Sequence, residues 1–180
     1  SSAASDVYKR QVRAMAGRPV VIRTLDVGGD KQAPCLGLEG DSSPLGCRGI
    51  RLSLASPDLF RPQLRAILRS GALGPVSLML PMVTAPWEVR RAREILEECR
   101  SELQSQGREP GEVRVGIMVE TPAAAVISDE LAKEVEFFSI GTNDLTQYTL
   151  AIDRQNQNLD NFYDSHHEAI LRLIKMTVEN

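Results

Sequence analysis

The sequence has few cysteines, and their spacing excludes the usual cysteine-based frameworks. Its 180 residues include three cysteines, Cys35, Cys47 and Cys99, with no C-x-x-C pair. An odd number of cysteines without paired spacing argues against a set of disulfides and against a structural zinc site. Cys99 continues the apolar helical series of its segment, so we expect it to be a small core residue.

Long apolar runs and clusters of basic residues are also lacking. No run approaches the roughly 20 apolar residues that a membrane span needs, and the first residues lack the layout of a signal peptide. The net charge is -3 and the basic residues are scattered along the chain. We therefore expect a cytoplasmic protein that does not insert into membranes and has no nucleic-acid partner.

The length allows one domain but not a large barrel. A complete (β/α)8 barrel typically needs roughly 250 residues, and this sequence has 180. Residues 1–11, SSAASDVYKRQ, are rich in small polar side chains and show no convincing period. We interpret them as a tag or sequence artefact outside the fold, and residues 12–180 as a single partial domain.

Short apolar strand patterns alternate with amphipathic helix patterns along the whole chain. This alternation predicts an α/β fold with parallel strands and helices packed outside them. The strand patterns that we describe lie at Pro19–Leu25, Pro75–Met82, Val113–Glu120 and Val135–Ile140. In the third, Val113, Val115, Ile117 and Val119 alternate with Gly116, Met118 and Glu120, so Glu120 should end on the face opposite the helices.

Polar side chains follow two consecutive strands at the point where each strand ends. Glu120 ends one predicted strand, and Asn143 and Asp144 follow the next one after Gly141. The carboxyl ends of parallel strands meet at one edge, where ligands bind, so Glu120 and Asp144 could share one Mg²⁺ ion. The alternative is that Thr142, Asn143 or Asp144 merely caps the following helix.

Three arginines could supply positive charge to the same edge. Arg23 lies in an apolar strand, where a guanidinium needs an anion, either Asp26 or a bound ligand. Arg48 lies in a glycine-flanked loop, and Arg154 ends the segment that follows Asp144. Arginines beside a metal can bind a small anion that has phosphate and carboxylate groups. This combination of charged groups is typical of phosphoryl transfer.

The adjacent histidines His166 and His167 are weaker candidates for a metal site. Neighbouring residues on a helix point to different faces, so two adjacent histidines rarely bind one ion. Ser165 and Glu168 have the spacing of a capping box, which predicts that a final helix begins here. We therefore expect both histidines to be solvent-exposed residues of its first turn.

Five motifs in order resemble one known family. They are RTLDVGGDK at 23–31, PLGCRGIR at 44–51, MLPMV at 79–83, GIMVETPAAA at 116–125 and FFSIGTNDLTQYTLAIDR at 137–154. Together they resemble Enzyme I, the phosphoenolpyruvate:protein phosphotransferases of the bacterial sugar phosphotransferase system. Pyruvate phosphate dikinases and phosphoenolpyruvate synthases share the barrel and are the alternative, although VETPAAA and TQYTLAIDR are more similar to Enzyme I.

The resemblance implies a phosphoenolpyruvate-binding TIM barrel that is incomplete, because we count five strand candidates, about five of the eight β/α units of a closed barrel. Glu120 and Asp144 match the family's Mg²⁺ ligands. The residues matched to phosphoenolpyruvate binding are Arg23, Arg48, Asn143, Asp144 and Arg154.

In this family the phosphoryl group passes to a histidine on a separate domain and then to the carrier protein HPr, and the full-length enzyme is a homodimer. The family's catalytic cysteine and phosphorylated histidine match no residue here. The resemblance therefore implies a fragment that at best binds Mg²⁺ and phosphoenolpyruvate weakly, without turnover. An alternative of another class is a non-catalytic dimerisation or regulatory module.

Overall fold

The fold is built on one parallel β-sheet with helices packed against it. The computed structural model describes residues 2–27 and 43–180, so Cys35 and most of the glycine-containing VGGDK segment lie outside the described residues. The strands are β1 (Val20–Arg23), β2 (Val76–Leu80), β3 (Val113–Val119) and β4 (Phe137–Ile140). They pair in the order β1-β2-β3-β4, and all three pairings are parallel.

Eight α-helices alternate with or flank these strands in the described residues. They are α1 (Ser2–Ala14), α2 (Ile50–Ala55), α3 (Pro57–Gly71), α4 (Pro86–Ser105), α5 (Pro122–Val126), α6 (Ser128–Ala132), α7 (Thr142–Leu150) and α8 (Glu168–Glu179). A 3₁₀ helix, Gln157–Phe162, lies between the last two. The α/β prediction is confirmed, but four strands are found in the described part of the chain where we had counted five.

Three of the helices begin at a proline. The helices α3, α4 and α5 begin at Pro57, Pro86 and Pro122. Proline is tolerated there because its missing N–H would have no partner within the helix. Thr121 caps α5, since its Oγ1 accepts a hydrogen bond from the Ala124 amide at 3.2 Å.

The core lies between the sheet and the helices. Val115, Ile117 and Val119 of β3 are buried in it, as their alternation predicted. Other large core side chains, all fully buried, are Phe60, Leu64, Ile67, Leu68, Leu78, Leu80, Leu103 and Leu131. Cys99 is buried in the same core, which confirms its interpretation as a small apolar residue.

A second row of residues crosses the sheet on the opposite face. The register aligns Arg23 with Met79, Met79 with Gly116, and Gly116 with Phe137. The Phe137 ring lies against Gly116, where an added Cβ would come within 2.4 Å of the ring. This face carries Arg23 near its carboxyl end, and Glu120 follows one residue after β3.

Helix α1 corrects the expectation that residues 1–11 lie outside the fold. Ser2–Ala14 forms a helix that packs against α3, with Ser5 and Val12 buried. The hydroxyl of Tyr8 accepts a hydrogen bond from Gln63 Nε2 at 3.0 Å. Small residues allow close helix packing but contribute little to an apolar pattern, so the sequence pattern did not reveal this helix.

The start of α8 also differs from the expected capping box. The helix begins at Glu168, and His167 is its N-cap residue, with Nδ1 accepting a hydrogen bond from the Ala169 amide at 3.1 Å. The imidazole therefore caps the Ala169 amide, whereas the expected capping box would have paired Ser165 with the Glu168 amide. Both histidines are exposed, as predicted.

Within residues 2–27 and 43–180, no helix combines the length and the apolar character that a transmembrane span requires.

We expect Gly111→Ala to destabilise the fold. The Gly111 amide donates to the Leu68 carbonyl at 2.9 Å, and an added Cβ would lie 1.9 Å from the carbonyl carbon of Gly71. Both neighbours are backbone, so relief requires α3 and the chain entering β3 to separate. The free energy of unfolding should fall by about 2 kcal/mol or more in urea titrations. Glu112→Ala, at the exposed neighbouring position, is the control and should change little; equal effects would contradict the close-contact explanation.

Candidate functional site

Charged residues from four parts of the chain meet beyond the carboxyl ends of the strands. Asp26 follows β1, Glu120 follows β3, and Asp144 lies in the first turn of α7 after β4. Arg48 lies just before α2 and joins them. The sequence argument brought Glu120, Asp144 and Arg48 to one edge, and the structure places them there.

Arg48 is the buried cation of this group. Its side chain is 2% exposed, and Asp26 holds it with a two-point contact from Nε to Oδ1 at 3.2 Å and from Nη2 to Oδ2 at 2.9 Å. Its Nη1 donates to Asp144 Oδ1 at 3.1 Å and to the Tyr148 hydroxyl at 3.0 Å. Burial opposes its charged form, but the hydrogen bonds and charge of Asp26, with the charge of Asp144, raise the Arg48 pKa overall. Arg48 is therefore a fixed cation.

Arg23 makes a looser contact with the same carboxylate. Its Nη1 lies 3.7 Å from Asp26 Oδ2, and its side chain is 38% exposed. Asp26 is thus a partner of Arg23, as one of our two alternatives had it, but its closer partner is Arg48. Because Asp26 and Arg48 are 22 positions apart, no local sequence pattern pointed to this pair.

Removing Asp26 should be costly. In Asp26→Ala the Arg48 guanidinium stays buried without its two-point partner, and breaking such a pair typically costs about 3 kcal/mol or more of unfolding free energy. Urea denaturation of the variant measures this loss. Glu130→Ala is the matched control, because it breaks the exposed Glu130–Lys133 ion pair and should change stability little. Similar losses in the two variants would show that burial of the Arg48 charge does not matter.

Glu120 is fully buried and only half satisfied. Its Oε1 accepts a hydrogen bond from the Met82 amide at 2.7 Å. Its Oε2 has no hydrogen-bond partner among residues 2–27 and 43–180. Burial is the main cause that raises the pKa of Glu120 to about 7; the Met82 hydrogen bond opposes this shift, and the charges of Asp144 and Asp26 add to it. The carboxyl group is thus held beside other acids with one oxygen uncommitted.

Two backbone features make room for Glu120. An added Cβ at Gly141 would lie 2.7 Å from Glu120 Oε2, so the turn before α7 passes directly beside the carboxyl group. Met82 has φ 59°, a left-handed conformation that is uncommon for a residue with a side chain, and its amide points at Oε1. Sequence analysis missed Met82 because backbone direction carries no residue-type signal.

Asp144 does not serve as a helix cap. Gly141 is the N-cap residue of α7, and no side-chain cap is found for this helix within residues 2–27 and 43–180, so the alternative that Thr142, Asn143 or Asp144 merely caps it is wrong. Asp144 is buried instead and accepts from Arg48, while Arg154 Nη1 lies 3.8 Å from its Oδ2. Helix α7 therefore presents Asp144 to two arginines.

Arg154 and Asn143 lie at the more open side of the group. The Arg154 side chain is 23% exposed, and its amide donates to Gln147 Oε1 at 3.0 Å, which fixes the chain where it leaves α7. Asn143 is exposed, and its carbonyl accepts a hydrogen bond from the Tyr163 hydroxyl at 3.3 Å. Gln147 and Tyr148 are site neighbours that sequence analysis did not select; their position one turn after Asn143 and Asp144 was the available signal.

The donor set fits a hydrated divalent cation rather than a closed metal site. The part of the chain that the structure describes contains no group of three or more His, Cys, Asp and Glu side chains able to hold a metal. It does contain a buried oxygen of Glu120 without a hydrogen-bond partner. The charge of Asp144 contributes to the raised pKa of the same carboxyl group. Mg²⁺ commonly takes one or two protein carboxylates and fills its other positions with water and ligand oxygens.

Titration of Glu120 should make the stability of the metal-free chain depend on pH. Its folded pKa of about 7 lies above the ordinary value of 4.5, so the folded state binds the proton more tightly. The resulting stabilisation is present below pH 4.5 and is lost as the pH rises through about 7. The unfolding free energy should fall across this window by no more than roughly 3 kcal/mol.

Glu120→Gln is the comparison for this titration. The amide cannot ionise, and the other carboxyl groups titrate in both proteins, so the difference between the two pH profiles isolates Glu120. Urea denaturation at a series of pH values with a chelator present measures it. Parallel profiles for the two proteins would contradict the elevated pKa.

A comparison with known protein families shows to which family this chain belongs. The family described as "PEP-utilising enzyme, PEP-binding domain" matches residues 3–180, which include all of helix α1 except Ser2 and every residue of the charged group. The chain belongs to this PEP-binding domain family. The match from residue 3 agrees with the packing of α1 and argues further against a tag at residues 1–11.

Curated relatives give the same answer for this PEP-binding domain. The chain is 49% identical over 176 residues to the phosphoenolpyruvate-protein phosphotransferase of Staphylococcus carnosus, covering 97% of this chain and 31% of that protein. It is 50% identical over 174 residues to the protein of that name from Priestia megaterium, covering 96% of this chain and 30% of that protein. The resemblance drawn from the five motifs is confirmed. The chain spans about a third of the length of these relatives.

One solved structure is similar over part of the chain. A citrate lyase from Burkholderia xenovorans is 26% identical, with a TM-score of 0.48, and the alignment covers 66% of this chain and 36% of that one.

Proposed function

We propose that this domain binds phosphoenolpyruvate together with Mg²⁺ and presents its phosphoryl group for transfer. The observation that carries the proposal is the unpartnered buried oxygen of Glu120, whose carboxyl group interacts electrostatically with Asp144, Asp26 and Arg48. Few buried polar atoms lack a hydrogen-bond partner, and a bound ion is one of the ordinary reasons for such an atom. The family membership and the names of the relatives support the same substrate.

We also propose that the four parallel strands belong to an incomplete (β/α)8 barrel. The proposal is supported by the strand order, by the helices that separate the strands, and by the charged residues gathered at the carboxyl end of the sheet. Active sites of such barrels lie at that end, where loops from several strands converge. This placement explains why residues far apart in sequence contribute to one group.

In this proposal the arginines have two different tasks. Arg23 and Arg154 have side chains that are 38% and 23% exposed, so their N–H groups can reach the phosphate and carboxylate oxygens of the substrate. Arg48 is buried and largely engaged by Asp26 and Asp144, and it contributes a fixed positive charge. Asn143 precedes Asp144 in the chain, is exposed, and would add an amide donor.

Glu120 and Asp144 are the residues that would hold Mg²⁺. When bound, the ion would neutralise charge on the transferring phosphoryl group, whose transition state responds mainly to positioning and electrostatics. The raised pKa of Glu120 means that a proton competes for the same carboxylate, so cation binding should strengthen as the pH rises toward 8. Arg23, Arg48 and Arg154 would keep the anion in place without supplying a proton.

The later steps are proposed from the relatives. Proteins named phosphoenolpyruvate-protein phosphotransferase are nearly half identical to this chain, which favours the phosphotransferase system over a dikinase or synthase. We propose that the phosphoryl group passes to a histidine outside these 180 residues and then to HPr, in a cytoplasmic homodimer. His166 and His167 are assigned no part, because they lie at the start of α8 and outside the charged group.

Binding of phosphoenolpyruvate to this chain should require Mg²⁺ and both carboxylates. We expect calorimetry to detect binding in the presence of Mg²⁺ and little without it. Glu120→Gln and Asp144→Asn should each weaken affinity at least about tenfold, because each removes a charged ligand while nearly keeping its shape. The control Glu130→Gln makes the same chemical change at an exposed position outside the site and should leave affinity unchanged.

Two results would reject the proposal. One is wild-type chain that does not bind phosphoenolpyruvate even with Mg²⁺, and the other is binding that neither carboxylate variant changes. The first result would favour a non-catalytic dimerisation or regulatory role.

A further inference from the structure

Tyr148 lies where helix α7 meets the segment that carries Arg48. We propose that Tyr148 is a positioning residue for phosphoenolpyruvate, which orients the Arg48 guanidinium through its hydroxyl group. This inference rests on the proposed function of the site. Neither the family match nor the motifs taken from the sequence assign a role to this tyrosine.

The Tyr148 hydroxyl makes two hydrogen bonds of opposite direction. It accepts from Arg48 Nη1 at 3.0 Å. It also donates to the carbonyl oxygen of Pro44, which lies 104 positions earlier in the chain. Pro44 and Arg48 belong to the same segment before α2, so one hydroxyl group joins both the backbone and the side chain of that segment to α7.

The position of Tyr148 on α7 makes this double contact possible. Tyr148 follows Asp144 by four residues, so both side chains lie on the same face of the helix, one turn apart. Each accepts one hydrogen bond from Arg48 Nη1, while Asp26 occupies Nε and Nη2. Four of the five guanidinium N–H groups are therefore committed to acceptors in the described residues, and the plane of the guanidinium is fixed.

A neutral acceptor suits this position better than a charged one. Asp144 is also a proposed Mg²⁺ ligand, so its oxygens serve the ion and the arginines together. Tyr148 supplies an acceptor that does not depend on Asp144 and adds no negative charge that would repel an anionic substrate. Burial raises the pKa of the Tyr148 hydroxyl, which therefore stays protonated and keeps its hydrogen bond to Pro44.

A purely structural role for Tyr148 makes a different prediction from a positioning role. Tyr8 offers a matched comparison, because it is also partly buried and its hydroxyl also accepts one side-chain hydrogen bond, from Gln63 Nε2 at 3.0 Å. It lies on α1 and does not contact Arg48 in the described residues. A structural role would lower thermal stability in one or both of Tyr8→Phe and Tyr148→Phe and would leave ligand affinity the same in the two variants.

The test measures phosphoenolpyruvate affinity by calorimetry with excess Mg²⁺ on the full 180-residue chain. We expect Tyr148→Phe to weaken affinity about tenfold, since hydrogen bonds to a charged group are among the stronger ones, and Tyr8→Phe to leave it within about twofold. Arg48→Lys should weaken affinity by itself. Adding Tyr148→Phe to Arg48→Lys should then change affinity less than about twofold, because the tyrosine acts through the arginine.

NMR of the arginine side chains gives a second readout that needs neither ligand nor variant. In the ligand-free wild-type chain, the Nη1 hydrogens of Arg48 should be resolved and should exchange slowly. Those of Arg172, on the exposed surface of α8, should average rapidly. This measurement keeps the proposal testable if Tyr148→Phe proves too unstable to study.

The outcomes separate the two proposals. Wild-type binding with unchanged affinity in Tyr148→Phe, an effect additive with Arg48→Lys, or an Arg48 guanidinium as mobile as that of Arg172 would each overturn the positioning role alone. Absence of phosphoenolpyruvate binding in the wild-type chain would overturn the proposed function and the positioning role with it.

Discussion

The buried guanidinium of Arg48 constrains the whole charged region. A cation with a side chain 2% exposed is tolerated only because carboxylates from two distant segments meet it, Asp26 after β1 and Asp144 on α7. These contacts tie the first strand, the segment before α2 and the helix after the last strand to one point. The relative positions of the loops at the carboxyl end of the sheet therefore depend on one cation and its partners.

Glu120 differs from the Arg48–Asp26 pair, in which the two charges neutralise each other. Arg48 and Asp26 satisfy one another, whereas Glu120 has one backbone donor and one oxygen without a partner in residues 2–27 and 43–180. Burial disfavours the charged form of Arg48, and burial likewise raises the pKa of Glu120 toward neutrality. An acid held in this state binds either a proton or a cation. Competition between a proton and a cation for this carboxylate is the physical basis of the proposed metal dependence. The free-energy cost of burying the carboxylate is already part of the folded state.

The fold supports this arrangement through close backbone contacts more than through side chains alone. Gly141 leaves space for Glu120, Gly49 leaves space for Met82, and the left-handed backbone of Met82 directs an amide at the carboxyl group. A side chain at Gly49 would approach Met82 Cβ to 2.7 Å. The segment before α2, the end of β2 and the turn before α7 are thus packed at distances that admit no added atom. Small displacements in any of them would move the acid.

The sequence by itself determined the alternation of strands and helices, the core face of β3, the family, and the candidates Glu120, Asp144 and Arg48, because periodicity, helix-start residues and motif order are local properties. It did not reveal helix α1, whose small residues make a weak apolar pattern, and it led us to count five strands where the described residues hold four. Only the tertiary structure decided which charges pair. The Asp26–Arg48 contact spans 22 positions and the Tyr148–Pro44 contact 104, and such long-range geometry depends on how the strands and loops pack.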